Sequence, residues 1–278
     1  MVNNQVKGTI YMLLCALCWS FSGLLVKVIP WSPFAVTGLR CFFGLLVTLL
    51  VVRDRRVRLT KQNFLTAACV LLTAASYIVA IRMTTAANAI VLQYTAPILI
   101  LIYQILFQKK RATRLDLIAV TVILSGIVLF FVEGIAGGSV WGNLVALSSG
   151  VFFSGVFLCN ARPGATPMQS NILAYIMGSI IFLPSIVTNV TPDPLAWGAA
   201  VVLGAVTLGL AYFFFAKGSQ HISALAGSLI TCIEPILSPL WVGLVVGEIP
   251  SAWGFGGMAL VILGVVGYNV MLIRKSQN

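Results

Sequence analysis

Apolar stretches of about 20 residues follow one another along almost the whole chain, with only short polar links between them. A membrane-spanning helix needs about 20 predominantly apolar residues, so a chain built from such stretches is typical of a protein buried in lipid. The pattern therefore predicts an all-α integral membrane protein with ten transmembrane helices. The approximate limits of the crossings are Gly8 to Ile29, Pro33 to Val52, Asn63 to Ile81, Ala86 to Phe107, Arg114 to Val132, Val140 to Cys159, Met168 to Val187, Leu195 to Phe215, Ile222 to Val246 and Ser251 to Ile273.

The ten stretches form two sets of five that match each other in order. The offset between matching positions drifts only from 134 to 138, which a small insertion near 218–223 explains. We therefore expect two repeats, at residues 8–132 and 140–273. Because each repeat has an odd number of crossings, the second lies upside down, as in secondary transporters that bind their solute near the bilayer midplane. The matches are Gly8 and Trp19-Ser20 with Gly142 and Phe153-Ser154, Pro33 with Pro167, Pro97 with Pro235, and Gly126 with Gly264.

Composition agrees with lipid as the solvent. Hydrophobic residues make up 60% of the chain and charged residues 8%, and the mean hydropathy is +1.05. No soluble domain of this size could bury so much apolar surface. The first stretch is longer than the apolar core of a signal peptide, and we expect it to be retained. The six cysteines lie in or beside apolar stretches, where they need neither a disulfide nor a metal.

The basic residues predict the orientation of the chain. Five lie between positions 53 and 61 and four between 109 and 114. By the positive-inside rule both links face the cytoplasm, and ten crossings then place both termini there. We expect a multi-pass protein of the bacterial cytoplasmic (inner) membrane. The net charge of +11 falls at helix ends rather than on one face, so no nucleic-acid partner is expected.

Two charged residues and two prolines stand inside predicted crossings. Glu234 lies about halfway along the ninth, where an ionised side chain facing lipid costs on the order of 3 kcal/mol. It is a candidate acceptor for a proton or a substrate cation, or a structural glutamate bonded to a neighbouring helix. Arg40 in the second could bind a substrate carboxylate, or could be satisfied by a helix end or by Glu234. Pro97 and Pro235 interrupt equivalent helices and are candidate hinges.

Four motifs carry a resemblance to a known family: Ala16-x-x-Trp19, Arg40 after Pro33, Pro97 after a run of small residues, and Glu234-Pro235-Ile236 ending at Gly247-Glu248. From Gly8 to Ile273 the chain resembles the EamA family of the drug/metabolite transporter superfamily. The resemblance implies ten helices in an inverted five-plus-five arrangement and transport of small metabolites, often export of amino acids or related compounds. The chain departs from its own repeat at Thr95-Ala96-Pro97, which has no acid matching Glu234, and at Lys110, which replaces the acid seen at Glu248.

The resemblance also implies a central cavity, lined by the first, third and fourth helices and by the sixth, eighth and ninth, with the fifth and tenth peripheral. Aromatic rings with a few directed hydrogen-bonding groups suit an organic solute better than a bare ion. Each candidate could instead serve helix packing. The candidate cavity residues are Trp19, Ser20, Ser22, Tyr77, Asn88, Gln93, Tyr94, Tyr103, Phe153, Ser154, Tyr212, Thr231, Glu234 and Trp241.

Motifs of membrane enzymes and ATP-driven pumps are missing from the sequence. It has no GxxxxGKS/T, no HExxH, one histidine and no cluster of acids. We therefore expect no enzyme activity, no cofactor and no metal, and any uphill transport would draw on a proton or substrate gradient. The predicted function is a secondary transporter that moves a small organic metabolite by alternating access, in the direction of export. A channel or a lipid or metabolite flippase is the alternative, and monomer and homodimer are both open.

Overall fold

The computed structural model describes residues 2–52, 55–84, 86–132, 139–246 and 251–275, and these ranges are helical apart from short links. Gly247 and Glu248, which contribute to the family resemblance, lie outside them. The segment Ala205–Leu210, between α11 and α12, is a π-helix. The α-helices are α1 (Val2–Ser20), α2 (Ser22–Val28), α3 (Pro33–Val51), α4 (Lys61–Met83), α5 (Ala86–Gln93), α6 (Ala96–Leu106), α7 (Arg114–Phe131), α8 (Val140–Asn160), α9 (Pro167–Ile181), α10 (Leu183–Asn189), α11 (Pro194–Gly204), α12 (Ala211–Gly218), α13 (Ala224–Thr231), α14 (Glu234–Val246) and α15 (Ala252–Lys275).

Long apolar helices account for most of the described chain. Seven helical spans in these ranges are long and apolar enough to cross a membrane, and α9 with α10 makes an eighth if this pair, bent by 49°, is one span. Helix α7 coincides with the predicted fifth crossing, and α13 with α14 coincides with the ninth. The prediction of an all-α membrane protein is confirmed for the described part of the chain.

Three of the predicted crossings are broken next to a proline. Proline has no N–H to bond the carbonyl four residues earlier, and it disfavours helical geometry in the residue before it. Pro97, Pro184 and Pro235 each lie in the first turn of the helix that follows a break, namely α6, α10 and α14. In the two breaks at matching repeat positions, the carbonyls freed in this way belong to Gln93 and Thr231. These breaks therefore place backbone carbonyls without a helical N–H partner in the middle of the bundle.

Two further irregularities have no proline beside them, and hydropathy did not predict them. Helix α1 gives way to α2 at Phe21, where the Ser20 hydroxyl donates to the Leu17 carbonyl at 2.6 Å and competes with the helical hydrogen bonds. In the π-helix the Thr207 hydroxyl donates to the Leu203 carbonyl at 2.6 Å. Short π-helical turns inside α-helices often occur at functional sites.

Contacts between helices largely persist when the two predicted repeats are exchanged. Helix α4 packs against α8, and the exchanged pair, α1 with α12, is also in contact. Helix α4 contacts α9, while α3 contacts α11 and the π-helix; α7 packs against α15, and α3 against α9. Most of the buried hydrophobic residues form one core that draws on both repeats. The two halves of the chain are therefore intertwined rather than separate.

The links between helices gather at the two ends of the bundle, and α4 connects one end to the other. Near its first residue, Gln62 Nε2 donates to the Cys159 carbonyl at the end of α8, at 2.7 Å. Near its last residue, Arg82 Nη2 donates to the Ile29 carbonyl in the link after α2, at 2.6 Å. The links that the basic residues assign to the cytoplasm lie at the first end.

Candidate functional site

A small cavity lies inside the bundle, where the helix breaks and the π-helix come together. Its free volume of about 30 Å³ accommodates one or two water molecules. Both halves of the chain contribute to it, so the site exists only when the halves are assembled. The lining residues are Trp19, Ser22, Arg40, Thr73, Ala74, Tyr77, Gln93, Phe153, Leu208, Tyr212 and Glu234.

Glu234 supplies a carboxylate to this cavity. It is the first residue of α14, beside Pro235 and close to the Thr231 carbonyl that this proline leaves free. The Tyr94 hydroxyl, from the break in the other half, donates to Glu234 Oε2 at 2.5 Å and lies 3.2 Å from the Thr231 carbonyl oxygen. One hydroxyl thus joins the two equivalent breaks and orients the carboxylate.

Arg40 supplies a guanidinium to the same cavity from α3, and it is only 6% exposed. Its Nε donates to the Thr207 hydroxyl at 3.0 Å, so the π-helix holds the base of the guanidinium. Among the described residues, no ion pair joins Arg40 to Glu234. The cavity wall therefore carries one guanidinium and one carboxyl group that are not in direct contact with each other.

Aromatic rings fill the space around the two charges. The Trp19 ring lies 5.5 Å from that of Phe153 and 5.3 Å from that of Tyr212, both in edge-to-face contact. The same ring lies 6.0 Å from that of Phe215. Ring pairs of this kind contribute about 1 kcal/mol each beyond their buried area, so a bound solute could replace them at modest cost.

Most of the residues named from the sequence lie at or directly behind this cavity. Eight of the residues predicted from the sequence line it: Trp19, Ser22, Arg40, Tyr77, Gln93, Phe153, Tyr212 and Glu234. Tyr94 and Thr231 form the hydrogen bonds behind the Glu234 carboxylate. Their role in transport stays a prediction.

Five other predicted residues are not among the lining residues, namely Ser20, Asn88, Tyr103, Ser154 and Trp241. The Ser20 hydroxyl accepts a hydrogen bond from Trp241 Nε1 at 2.7 Å, which links α1 to α14 beside the cavity wall. Asn88 lies near one end of the bundle, where its Nδ2 donates to Thr84 Oγ1 and the Thr84 hydroxyl donates to Asn143 Oδ1. The structure therefore brings Ser20, but not Asn88, close to the lining residues.

Sequence reasoning missed Thr73, Ala74, Thr207 and Leu208. Thr73 stands four residues before Tyr77 on α4, and this spacing places both on one helical face. That periodicity is a signal that could have found it. Thr207 and Leu208 lie in the π-helix, whose wider turn changes the directions in which its side chains point. No sequence pattern marks this π-helix.

Residues 6–132 and 140–270 match the EamA-like transporter family. The chain belongs to this family. It is therefore a multi-pass membrane transporter, which moves a small solute across a lipid bilayer.

Two relatives of the chain are named as a transporter and an exporter. The uncharacterized transporter YwfM of Bacillus subtilis is 28% identical, with 94% of each chain covered. The pseudopaline exporter CntI of Pseudomonas aeruginosa is 23% identical, with 96% of this chain and 97% of the relative covered. One solved crystal structure superimposes on this chain with a TM-score of 0.82 at 20% sequence identity. The match covers 97% of this chain and 99% of the chain in that structure, and it shows that the two share a fold.

Proposed function

We propose that this EamA family member is a secondary transporter that exports an amino acid or a related metabolite by alternating access. Arg40 would bind the carboxylate of the solute, Glu234 its ammonium group, and the rings of Trp19, Phe153 and Tyr212 its apolar part. The observation that carries the proposal is the pair of opposite, unpaired charges in one aromatic cavity. A charge inside the membrane is costly unless a partner compensates it, and a zwitterionic solute would compensate both.

The proposed architecture has ten crossings in two inverted repeats, at 8–132 and 140–273, with both termini in the cytoplasm. Helix contacts that survive exchange of the halves support it, since a two-fold axis between the repeats would produce such contacts. The breaks beside Pro97 and Pro235 support it as well, because they fall at the same place in the fourth and ninth crossings. These prolines would act as hinges when one half rocks against the other.

The small size of the cavity supports alternating access rather than a permanent pore. Sites for organic ligands occupy about 300 to 1,000 Å³, whereas this one has about 30 Å³. In this conformation the rings occupy the space that a solute would take. Binding would therefore require the helices around Trp19 to separate toward one side of the membrane. One relative is named as a pseudopaline exporter, which supports the direction of export.

The test is transport in liposomes of the purified protein, with a panel of labelled amino acids and with or without a pH gradient. Saturable counterflow of an amino acid is expected from the wild type. Glu234→Gln and Arg40→Gln each remove a charge-assisted hydrogen bond to the solute, so transport should fall about 10- to 100-fold. Decarboxylated and deaminated analogues should be poor substrates of the wild type.

Asp193→Asn is the matched control, because this half-buried acid lies away from the cavity and caps α11 at 3.0 Å, and asparagine caps equally well. It should transport like the wild type. Folding of every variant is checked by gel filtration and circular dichroism. Wild-type transport by Glu234→Gln, or flux that never saturates, would overturn the proposal, and unsaturable flux would identify a channel instead.

A further inference from the structure

A second and much larger cavity opens at one end of the bundle, with a volume of about 510 Å³. We call it the vestibule, and define it by Gln104, Lys110, Asn160, Arg162, His221 and Ser223. Its walls come from the links after α6, α8 and α12, all of which the basic residues assign to the cytoplasm. Three links that are distant in sequence thus build one concave surface.

The charge of the vestibule is one-sided. Lys110 and Arg162 are cationic, while none of the described residues that line the vestibule is Asp or Glu. Arg162 is exposed, and its guanidinium donates to two neutral groups, the Tyr103 hydroxyl at 3.3 Å and Gln62 Oε1 at 3.5 Å. These bonds hold the arginine in place without cancelling its charge.

Helix α8 leads from the vestibule to the central cavity. Leu158 and Asn160 line the vestibule, Phe153 lines the central cavity, and Phe157 lies between them on the same helix. The Phe157 ring lies 5.1 Å from that of Phe215 and 5.0 Å from that of Phe153. Only a few turns of helix and one aromatic layer therefore separate the two cavities.

We propose that the vestibule is an anion-binding antechamber, in which Arg162 and Lys110 hold a carboxylate of the solute before it passes Phe157 and Phe215. The proposal rests on the function proposed above, since it gives the solute its place of entry. A one-signed cleft raises the local concentration of counter-charged solutes and speeds their capture. The chemistry recognised is a small soluble anion, and an anionic lipid headgroup is a second source of the same charge.

The experiment measures binding rather than transport, with succinate as the probe and succinamide as its neutral counterpart. Calorimetry is performed on the protein in phosphatidylcholine nanodiscs at low salt. Succinate should bind and succinamide should not, and added salt should weaken the binding because exposed charges are screened. In the double variant Lys110→Gln, Arg162→Gln, the affinity for succinate should fall at least about tenfold.

The control is the double variant Lys7→Gln, Arg114→Gln, which removes the same charge from exposed positions that do not line the vestibule. It should bind succinate like the wild type. Equal losses in both double variants, or no succinate binding at all, would overturn the proposal. Competition by phosphatidylglycerol that abolishes succinate binding would overturn it in favour of a lipid site.

Arg40→Gln separates this inference from the proposed function, because Arg40 is the proposed carboxylate ligand of the central cavity. Succinate binding that persists in Arg40→Gln supports the antechamber whatever the transport assay shows. Conversely, loss of succinate binding in Arg40→Gln would assign the anion to the central cavity and overturn the antechamber. Transport that depends on Glu234 would still support the proposed function in that case.

Discussion

The broken helices α5–α6 and α13–α14 occupy equivalent places in the two halves, yet they do different chemistry. Both break over two residues, and both resume with a proline in the first turn. In the second half the resumed helix starts at Glu234, whereas Ala96 occupies that place in the first. The first half instead supplies Tyr94, whose hydroxyl reaches the Glu234 carboxylate at 2.5 Å.

The freed carbonyls of the two breaks also differ in their surroundings. The Thr231 carbonyl accepts from the Tyr94 hydroxyl, a polar partner, at 3.2 Å. The Gln93 and Leu92 carbonyls face α8 at Gly150, where an added Cβ would lie 3.0 and 2.8 Å from their oxygens. The two breaks thus share their backbone arrangement and differ in their side chains, with a charged side in the second half of the chain and a packed side in the first.

The largest effect on transport is expected when the two halves of the chain are joined covalently. Cys69 on α4 and Cys159 on α8 lie close enough for their thiols to interact with each other. Copper phenanthroline should accept two electrons from the pair, with release of two protons, and leave a disulfide between the halves. If the halves separate at this end during transport, counterflow should fall almost to zero and return with dithiothreitol.

Cys69→Ser and Cys159→Ser are the controls, and oxidation should leave the transport of both unchanged. Mass spectrometry of tryptic peptides reports the extent of cross-linking. Full transport by a completely cross-linked protein would show that α4 and α8 stay together, and it would contradict rocking of the halves.

A milder change removes the bond that joins the two breaks. Tyr94→Phe keeps the ring beside Phe153, at 6.0 Å between centroids, but deletes the donor to Glu234. A hydrogen bond to a charged group is worth about 1.5 to 3 kcal/mol, so we expect about a 10- to 100-fold loss in apparent solute affinity. Counterflow titrations measure it, with Tyr11→Phe as a control outside the lining residues. Unchanged affinity would show that the Tyr94 hydroxyl has a purely structural role.

The smallest effect is expected on stability, from alanine substitutions at two glycines in matching positions. A Cβ at Gly142 would lie 2.7 Å from the backbone carbon of Met83, whereas one at Gly8 would lie 2.6 Å from the Ile222 side chain. A side chain can rotate away more easily than a backbone can move. Gly142→Ala should therefore destabilise the protein by about 1 to 3 kcal/mol, and Gly8→Ala by less. Thermal unfolding in detergent measures both, and a larger loss for Gly8→Ala would contradict the reasoning.

Sequence reasoning located most of the candidate site because the required signals are local. An ionisable residue in an apolar stretch, such as Arg40 or Glu234, must face a polar space whichever helix is its neighbour. Prolines mark helix breaks without reference to tertiary contacts, so Pro97 and Pro235 were recognised as interruptions. Asn88 has the same polar character as Gln93, but five residues along a helix place its side chain in a different environment, near one end of the bundle.

Hydropathy and its repetition determined by themselves that lipid is the solvent, that the chain is helical, and where its charges and interruptions fall. These properties follow from the transfer of single side chains and from local backbone geometry. Only the tertiary structure decided that Tyr94 meets Glu234 across 140 residues and that Thr207 meets Arg40 across 167. It also decided that rings fill the central cavity, because the faces that meet in a bundle are set by close packing of all helices at once.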